Sequence, residues 1–276
     1  MSQPPQLAAS AKQPHPASHG ATIYYWSRGL LLLAPTLVLD RPTSPLTATL
    51  RLGCKAAYSL EVEGQKKLKT RASLVAPRAG RKRITAVDCD IALFYFPLEM
   101  TEYAGLKELL DGKDVIDLAF EPFEPLLPAL REAMAGRLAG SIAKDLFQQA
   151  VHAATGKLPR APDPLDPRIE KARHIVDQLP LNEVRIDKLA MQVHLSESRL
   201  RELFKLQIGA TIGEYSRWQA IWRAANLWRS GRTLTDIAVE AGFHDLAHAD
   251  KVFVETFGIQ PSIITDPRFF KLVRCQ

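Results

Sequence analysis

Apolar residues recur along this chain with two different periods, and the change of period divides it. Between residues 22 and 97 the apolar runs are short, and TATLRL and YSLEVE alternate as strands with one buried face do. ATIYYWS, LLLAPTLVLD, LTATLRLGC, AYSLEVEG, KLKTRASLVAP, RITAVDC and IALFYFP are the expected strands, separated by Pro, Gly and charged turns. Short strands at this spacing predict a β-sandwich or small barrel. From Thr101 the spacing becomes three and four. Leu106, Leu109 and Leu110 open a helix, and DGKDVIDL supplies a loop. Leu126, Leu127, Leu130, Met134, Leu138, Ile142, Leu146, Phe147 and Val151 then make one stripe, as in a helical hairpin packed on its own barrel. KLPRAPDPLDPR, with four prolines in twelve residues, predicts a stiff extended linker.

Helical spacing then continues in a doubled plan. In RIDKLAMQVHLSESRLRELFKLQIG, Leu189, Ala190, Val193, Leu195, Leu200, Leu203, Phe204 and Ile208 face inward. Asp187 is placed to cap a helix running through Gln192, His194 and Leu195 make a turn, and Ser196 caps a second helix. TLTDIAVEAGFHDLAHADKVFVETFGIQPS repeats the arrangement. Thr235 is the expected cap, Gly242 the turn, and a helix from about Asp245 carries Leu246, Ala249, Val252, Phe253 and Phe257 before Gly258 and Pro261 end it. Between the units, EYSRWQAIWRAANLWRSG predicts an amphipathic connector. Tyr215, Trp218, Ile221, Trp222, Ala225 and Trp228 lie on its apolar stripe, Arg217, Arg223 and Arg229 lie outside it, and Ser230–Gly231 stop it. A short helix braced on another at a steep angle leaves one face free to enter the major groove of DNA. Two such units on one rigid connector suit successive groove segments.

The pieces LAMQVHLSESRLRELFK, IGATIGEYSRWQAIWRAANLWRSG, LTDIAVEAGF and FVETFGIQPS, in this order and spacing, resemble the DNA-binding domain of the AraC/XylS family of bacterial transcription regulators. The resemblance covers roughly residues 169–262. It implies an α+β protein: a cupin-like β-barrel with a helical hairpin, then an all-α domain with two helix-turn-helix units joined by a linker helix. It also places contacts between subunits on the helical segment. The expected layout is a disordered tail over 1–20, a β-rich sensor domain over 21–100, and a helical, dimer-forming segment over 101–156. The linker follows over 157–168 and the DNA-binding domain over 169–268. The tail IITDPRFFKLVRCQ extends past the family's usual close, and Phe269, Phe270 and Leu272 are expected to pack back on the second unit.

Charge adds little to this picture. The chain carries +6 and a sequence pI near 9.2. Residues 168–276 hold 16 Lys and Arg against 13 Asp and Glu, and residues 1–167 hold 20 against 17, so basicity is not concentrated in the helical half. Motif, not charge, points to DNA. Cys54, Cys89 and Cys275 are scattered and lack CxxC spacing, as in a reduced cytoplasmic protein. The first twenty residues have no apolar core for a signal peptide, and LLLAPTLVL is too short to span a membrane and reads as a buried strand. Arg78, Arg81, Lys82 and Arg83 form a basic run that reads as an exposed loop before it reads as an anion site.

No histidine lies between His19 and His152, so a cupin-type metal set is missing, and His244 and His248 have no Glu or Cys to complete a site. No metal, cofactor or catalytic residue is expected. The outward residues of the first unit are Glu197, Ser198, Arg199, Arg201, Glu202 and Lys205, beside the cap Ser196. The resemblance places base contacts on Ser198, Arg201 and Glu202. Arg201 suits a bidentate bond to guanine, and Glu202 suits either cytosine or pairing with a neighbouring Arg. In the second unit the matching positions are Leu246, Ala247 and His248, and Lys251 is the strong charge. Residues 245–257 set that one Lys against Asp245, Asp250 and Glu255. The first unit is therefore expected to discriminate sequence while the second docks by shape.

The leading expectation is a dimeric, sequence-specific transcription regulator, with activator character, whose N-terminal domain answers to a small-molecule effector. The alternative is a regulator of the same ancestry without a ligand, set by protein partners or expression level. Expected partners are double-stranded DNA, a second copy of the chain, RNA polymerase and a small effector, with no membrane.

Overall fold

The structure, a computed structural model, describes residues 20–26, 29–159, 164–228 and 231–275. Residues 1–19 of the tail expected over 1–20, part of the Pro-rich linker, and Arg229 and Ser230 lie outside these. The strands β1 (Ala21–Trp26), β2 (Gly29–Ala34), β3 (Leu37–Leu39), β4 (Thr47–Gly53), β5 (Tyr58–Val62), β6 (Leu68–Thr70), β7 (Ala72–Val75), β8 (Arg81–Ala86) and β9 (Ile91–Pro97) come first. They are followed by α1 (Thr101–Leu110) and β10 (Val115–Asp117), then a 3-10 turn over Glu121–Leu126, α2 (Leu127–Met134) and α3 (Gly140–Thr155).

Three expected elements differ. LLLAPTLVLD is two strands, because the chain turns at Pro35, whose carbonyl accepts from the backbone N–H of Cys89 and Asp90 at 3.0 and 3.1 Å. KLKTRASLVAP is likewise two strands. The Thr70 hydroxyl accepts from Ala72 N–H at 3.0 Å, and Arg71 turns out to donate to the carbonyls of Gly53 and Cys54. Both breaks carry the chain from one sheet to the other. DGKDVIDL, expected as a loop, contributes β10, which pairs antiparallel with β7.

The larger sheet runs β10-β7-β4-β9-β2-β1 and gains one more strand, β11 (Phe270–Arg274), while the smaller runs β3-β8-β5-β6. Alternation along each strand sorts the side chains. Ala48, Leu50, Leu52, Ala92, Phe94 and Phe96 point to one face, where Leu106, Leu126, Leu130, Leu146, Phe147 and Val151 cover them. Phe147 meets Phe94 and Phe96 edge-on at 5.2 and 4.8 Å. The apolar stripe of the helical segment is thus buried on the chain's own sheet, and of the stripe Ile142 remains exposed at 44%.

The opposite face of the large sheet has two neighbours. The small sheet covers one part. Helices of the C-terminal region cover the rest, so that Ile23, Tyr25, Leu32 and Tyr95 share one core with Ile221, Trp222 and Phe257. Those helices are α4 (Pro167–Gln178), α5 (Ile186–Gln192), α6 (Glu197–Ile208), α7 (Ile212–Leu227), α8 (Leu234–Glu240), α9 (Leu246–Phe257) and the short α10 (Pro261–Ile264). Asp166 caps α4 by accepting from Arg168 N–H, with Pro167 at the first helical position, where a missing N–H costs nothing.

The tail meets its expectation in part, since Leu272 lines a cleft with Ala249, Phe253 and Phe257 of the second unit. Phe270 and Leu272 do face the shared core, but their backbone does not rest on the second unit. Phe270–Arg274 lies parallel to β1, with Phe270 opposite Ala21 and Arg274 opposite Tyr25, and Cys275 N–H donates to Tyr25 C=O at 2.8 Å. A parallel pair needs a crossover connection. Here the crossover is the whole chain between.

Candidate nucleic-acid interface

In the first unit, α5 packs on α6 through buried Leu189, Ala190, Leu200, Leu203 and Phe204. The expected cap on α5 is corrected: Arg185 occupies the N-cap without a side-chain bond, and Asp187 sits inside the first turn. There it meets the positive end of the helix dipole without bonding it. His194, in the left-handed region at φ 55°, makes the turn. Ser196 caps α6 by accepting from Arg199 N–H at 3.3 Å, and Gly209 closes it at φ 79°. Ser196, Ser198, Arg199, Arg201, Glu202 and Lys205 are all exposed. Arg199 donates to Glu202 at 2.8 Å and Arg201 to Glu197 at 3.1 Å. Glu202 therefore takes the arginine partner, one of its two expected roles. Such exposed pairs contribute about 0.3–0.5 kcal/mol and yield readily to a phosphate or base edge.

The second unit repeats the plan with different surroundings. Thr233, not Thr235, caps α8 by accepting from Asp236 N–H at 3.1 Å, two residues earlier than expected. Gly242 turns the chain at φ 91°, and a side chain there would strike Leu181 and Pro180 backbone. Leu181 N–H donates to Ala241 C=O at 3.2 Å, so this turn also braces the segment leading into α5. Asp245 caps α9 by accepting from His248 N–H at 2.7 Å, which with His244 holds its carboxyl below the usual range. Of the expected reading positions, Ala247 and Lys251 are exposed. Leu246 turns inward onto the shared core, and His248 is half-buried, edge-on to Phe243 at 5.4 Å. His244 bonds Asp245 at 3.0 Å.

Helix α7 holds the two units at a fixed separation. Thr211 and Glu214 form a reciprocal capping box at its start. Its buried set is wider than one stripe: besides Tyr215, Trp218, Ile221 and Trp222 it includes Ser216, Gln219, Ala220 and Ala224. The β-domain covers the second side. Arg78 joins the two, donating to Glu214 at 3.0 Å and to the Gly209 carbonyl at 2.6 Å. Burial works against the Glu214 charge, yet bonds from Arg78 and Thr211 bring its carboxyl down to about 2. Tyr95 of β9 meets Phe257 of α9 edge-on at 5.6 Å, and Ser44 N–H donates to Glu255 C=O at 3.0 Å.

The basic run is accordingly corrected. Arg81 is 4% exposed and donates to Thr43 Oγ1 and the carbonyls of Leu39 and Arg41, while Arg78 is spent on the helical domain. No sequence period announces an Arg78–Glu214 pair 136 residues apart.

The buried thiols are held as neutral groups: burial pushes Cys54 up to about 12 and Cys89 up to about 11. Among the described residues, no helix is long and apolar enough to cross a membrane, and no three His, Cys, Asp or Glu stand together as metal ligands.

This arrangement of paired helices, braced by a buried connector, is that of a double helix-turn-helix. Residues 189–265 match the family model described as helix-turn-helix domain. This part of the chain is similar to the DNA-binding domains of AraC/XylS regulators. Over 78 residues it is 36% identical to the HTH-type transcriptional activator RhaR of Escherichia coli strain K12, an alignment covering 28% of each chain. The matched part thus spans little more than a quarter of that relative. At the level of fold the likeness extends further. An apo ToxT point variant from Vibrio cholerae strain SCE256 superposes with a TM-score of 0.52 at 13% identity, covering 83% of this chain and 96% of that one. ToxT from Vibrio cholerae O395 bound to (E)-4-(8-methylnaphthalen-1-yl)but-3-enoic acid gives 0.50 at 14% identity, covering 82% and 92%.

Proposed function

We propose that this protein is a sequence-specific transcription regulator that binds operator DNA as a dimer and answers to a small molecule in its β-domain. The observation that carries the reading is the free, capped helix α6, presenting Ser198, Arg199, Arg201 and Lys205 while a second unit is fixed beside it through α7. On this reading Arg201 gives up Glu197 for a guanine edge, Arg199 and Lys205 hold phosphates, and Glu202 orients Arg199. Ala247 and Lys251 approach the next groove segment. The domain layout supports the division between a sensing half and a reading half, with residues 157–168 connecting them. Activation, as the name of RhaR has it, requires contact with RNA polymerase, and work on DNA implies the cytoplasm. That one ToxT structure holds an organic acid supports effector binding.

Selection of bound sequences from random DNA tests the proposal, using the full chain and Arg201→Ala. Two repeated half-sites, each relaxed at one position by the variant, are expected. A full chain that enriches no sequence, with or without added effector candidates, would overturn the reading. Sedimentation with the selected site checks for two chains per operator.

A further inference from the structure

Inside the β-domain, three successive inward positions of β4 carry polar groups that the fold leaves unanswered. Thr47, Thr49 and Arg51 alternate with Ala48, Leu50 and Leu52, which point to α1–α3, so all three project to the opposite face of the large sheet, the one covered by the small sheet and the C-terminal helices. Thr47 and Thr49 are at most 1% exposed, and Arg51 is 2% exposed. The hydroxyls of both threonines and the Arg51 Nε have no hydrogen-bond partner. Arg51 Nη1 makes a single bond, to its neighbour's carbonyl, Thr49 C=O, at 3.2 Å. Among the described residues no carboxylate pairs with this guanidinium. Buried donors are ordinarily paired, and a buried cation without a counter-charge is among the costliest features a core can hold.

Arg81 shows what a structural arginine looks like in the same interior. Three oxygen acceptors, Thr43 Oγ1 and the carbonyls of Leu39 and Arg41, take up its fork. Arg51 has nothing comparable. Across the strands from it lie Ser73 and Leu93, and Thr49 stands opposite Tyr95. Tyr58 OH bonds Ser73 Oγ at 2.6 Å and leans on the Arg51 carbonyl at 3.2 Å. Burial raises the pKa of both Tyr58 and Tyr95, so neither phenol supplies the missing negative charge.

We infer that Arg51, Thr47 and Thr49 form the anchor of a ligand site that takes a small molecule bearing a carboxylate. The carboxylate supplies the counter-charge to Arg51 and accepts from the threonine hydroxyls, the planar fork of arginine matching a planar two-oxygen acceptor. Tyr95, opposite Thr49, carries its ring to Phe257 of α9, which places the ligand one side chain away from the second helix-turn-helix. The inference rests on the effector-responsive reading above and specifies the chemistry of that effector.

The test uses the full chain and follows thermal unfolding with sodium formate, acetate or benzoate, against sodium chloride at equal ionic strength and against neutral benzamide. At least one carboxylate is expected to raise the Tm where chloride and benzamide do not. Arg51→Met is expected to raise the Tm of the unliganded protein, since it removes an uncompensated charge, and to abolish the response. Thr49→Val, which removes one hydroxyl with little change of shape, keeps the unliganded Tm and weakens the response several-fold. Equal shifts with chloride, no shift with any carboxylate, or a response unchanged in both variants would overturn the site. Selection of DNA sequences by the same protein reads the regulator function separately, so either can fail while the other stands.

Discussion

Helices α6 and α9 have the same length, an oxygen-bearing N-cap, and a left-handed glycine at the end, yet they live in different surroundings. One apolar side of α6 is buried against its own unit and the rest is open. Helix α9 is held on two sides: Leu246, Ala249, Phe253 and Phe257 line an apolar cleft against Ile23, Leu30, Leu32 and Tyr95 of the large sheet. Val252, Glu255 and Thr256 line a more polar groove with Thr43, Ser44 and Arg78. What remains free on α9 is a narrow outward strip around Ala247 and Lys251. Its meagre charge follows from this placement, because a helix that packs on a β-domain has fewer positions to give to phosphates. On the function proposed above, two copies of one motif divide labour: α6 is left free to read DNA, while α9 is held against the β-domain.

Each of the following outcomes sharpens or breaks that contrast. Phe257→Ala empties the contact between α9 and Tyr95 and is expected to cost about 3–5 kcal/mol, measured by urea unfolding. A cost similar to that of a surface change would mean that the second unit is not docked. Arg201→Ala is expected to lose about 1–3 kcal/mol of discrimination at one base pair, seen in binding to matched and mismatched operators, with little change in Tm. Arg78→Ala acts between the domains. Glu214 is depressed from 4.5 to about 2, so its contribution is present above pH 4.5 and is lost as pH falls through about 2. The pair is partly open to solvent, so about 1 kcal/mol is expected, and the variant should show a shallower acid limb in a stability–pH profile. Lys251→Ala should weaken binding evenly across sequences and reduce the salt slope by about one. An unchanged slope would confine phosphate contact to the first unit.

Much of this was legible because local rules acted alone. Ser196, Gly242 and Gly258 fulfil their expected roles as cap, turn and helix end, and α9 begins beside Asp245 as expected; such features depend on neighbours within four residues. The alternation in β4 and β5 located both strands, but only β5 has the one buried face expected: every residue of β4 is buried, because its polar side meets the second layer of the fold. What the chain concealed were meetings between distant parts. Pro35 and Arg71 break apolar runs whose composition is continuous, because the partner strands lie on different sheets. Leu246 occupies a reading position but turns to a cleft made partly by the β-domain, and Arg78 finds Glu214 across the domain boundary. The connector's second buried side carries Gln219, whose amide donates to Glu99 at 3.3 Å, and polar residues of that kind do not advertise burial.

Strand β11 has a bearing on how the protein is made. Its partner β1 leaves the ribosome well before it, and Phe270–Arg274 follows only after every helix of the C-terminal region has been synthesised. At about 5–20 residues per second, β1 waits roughly tens of seconds with one backbone edge unsatisfied. During that interval the nascent sheet is a template for stray strands, and its final closure certifies that the helical domain has been built.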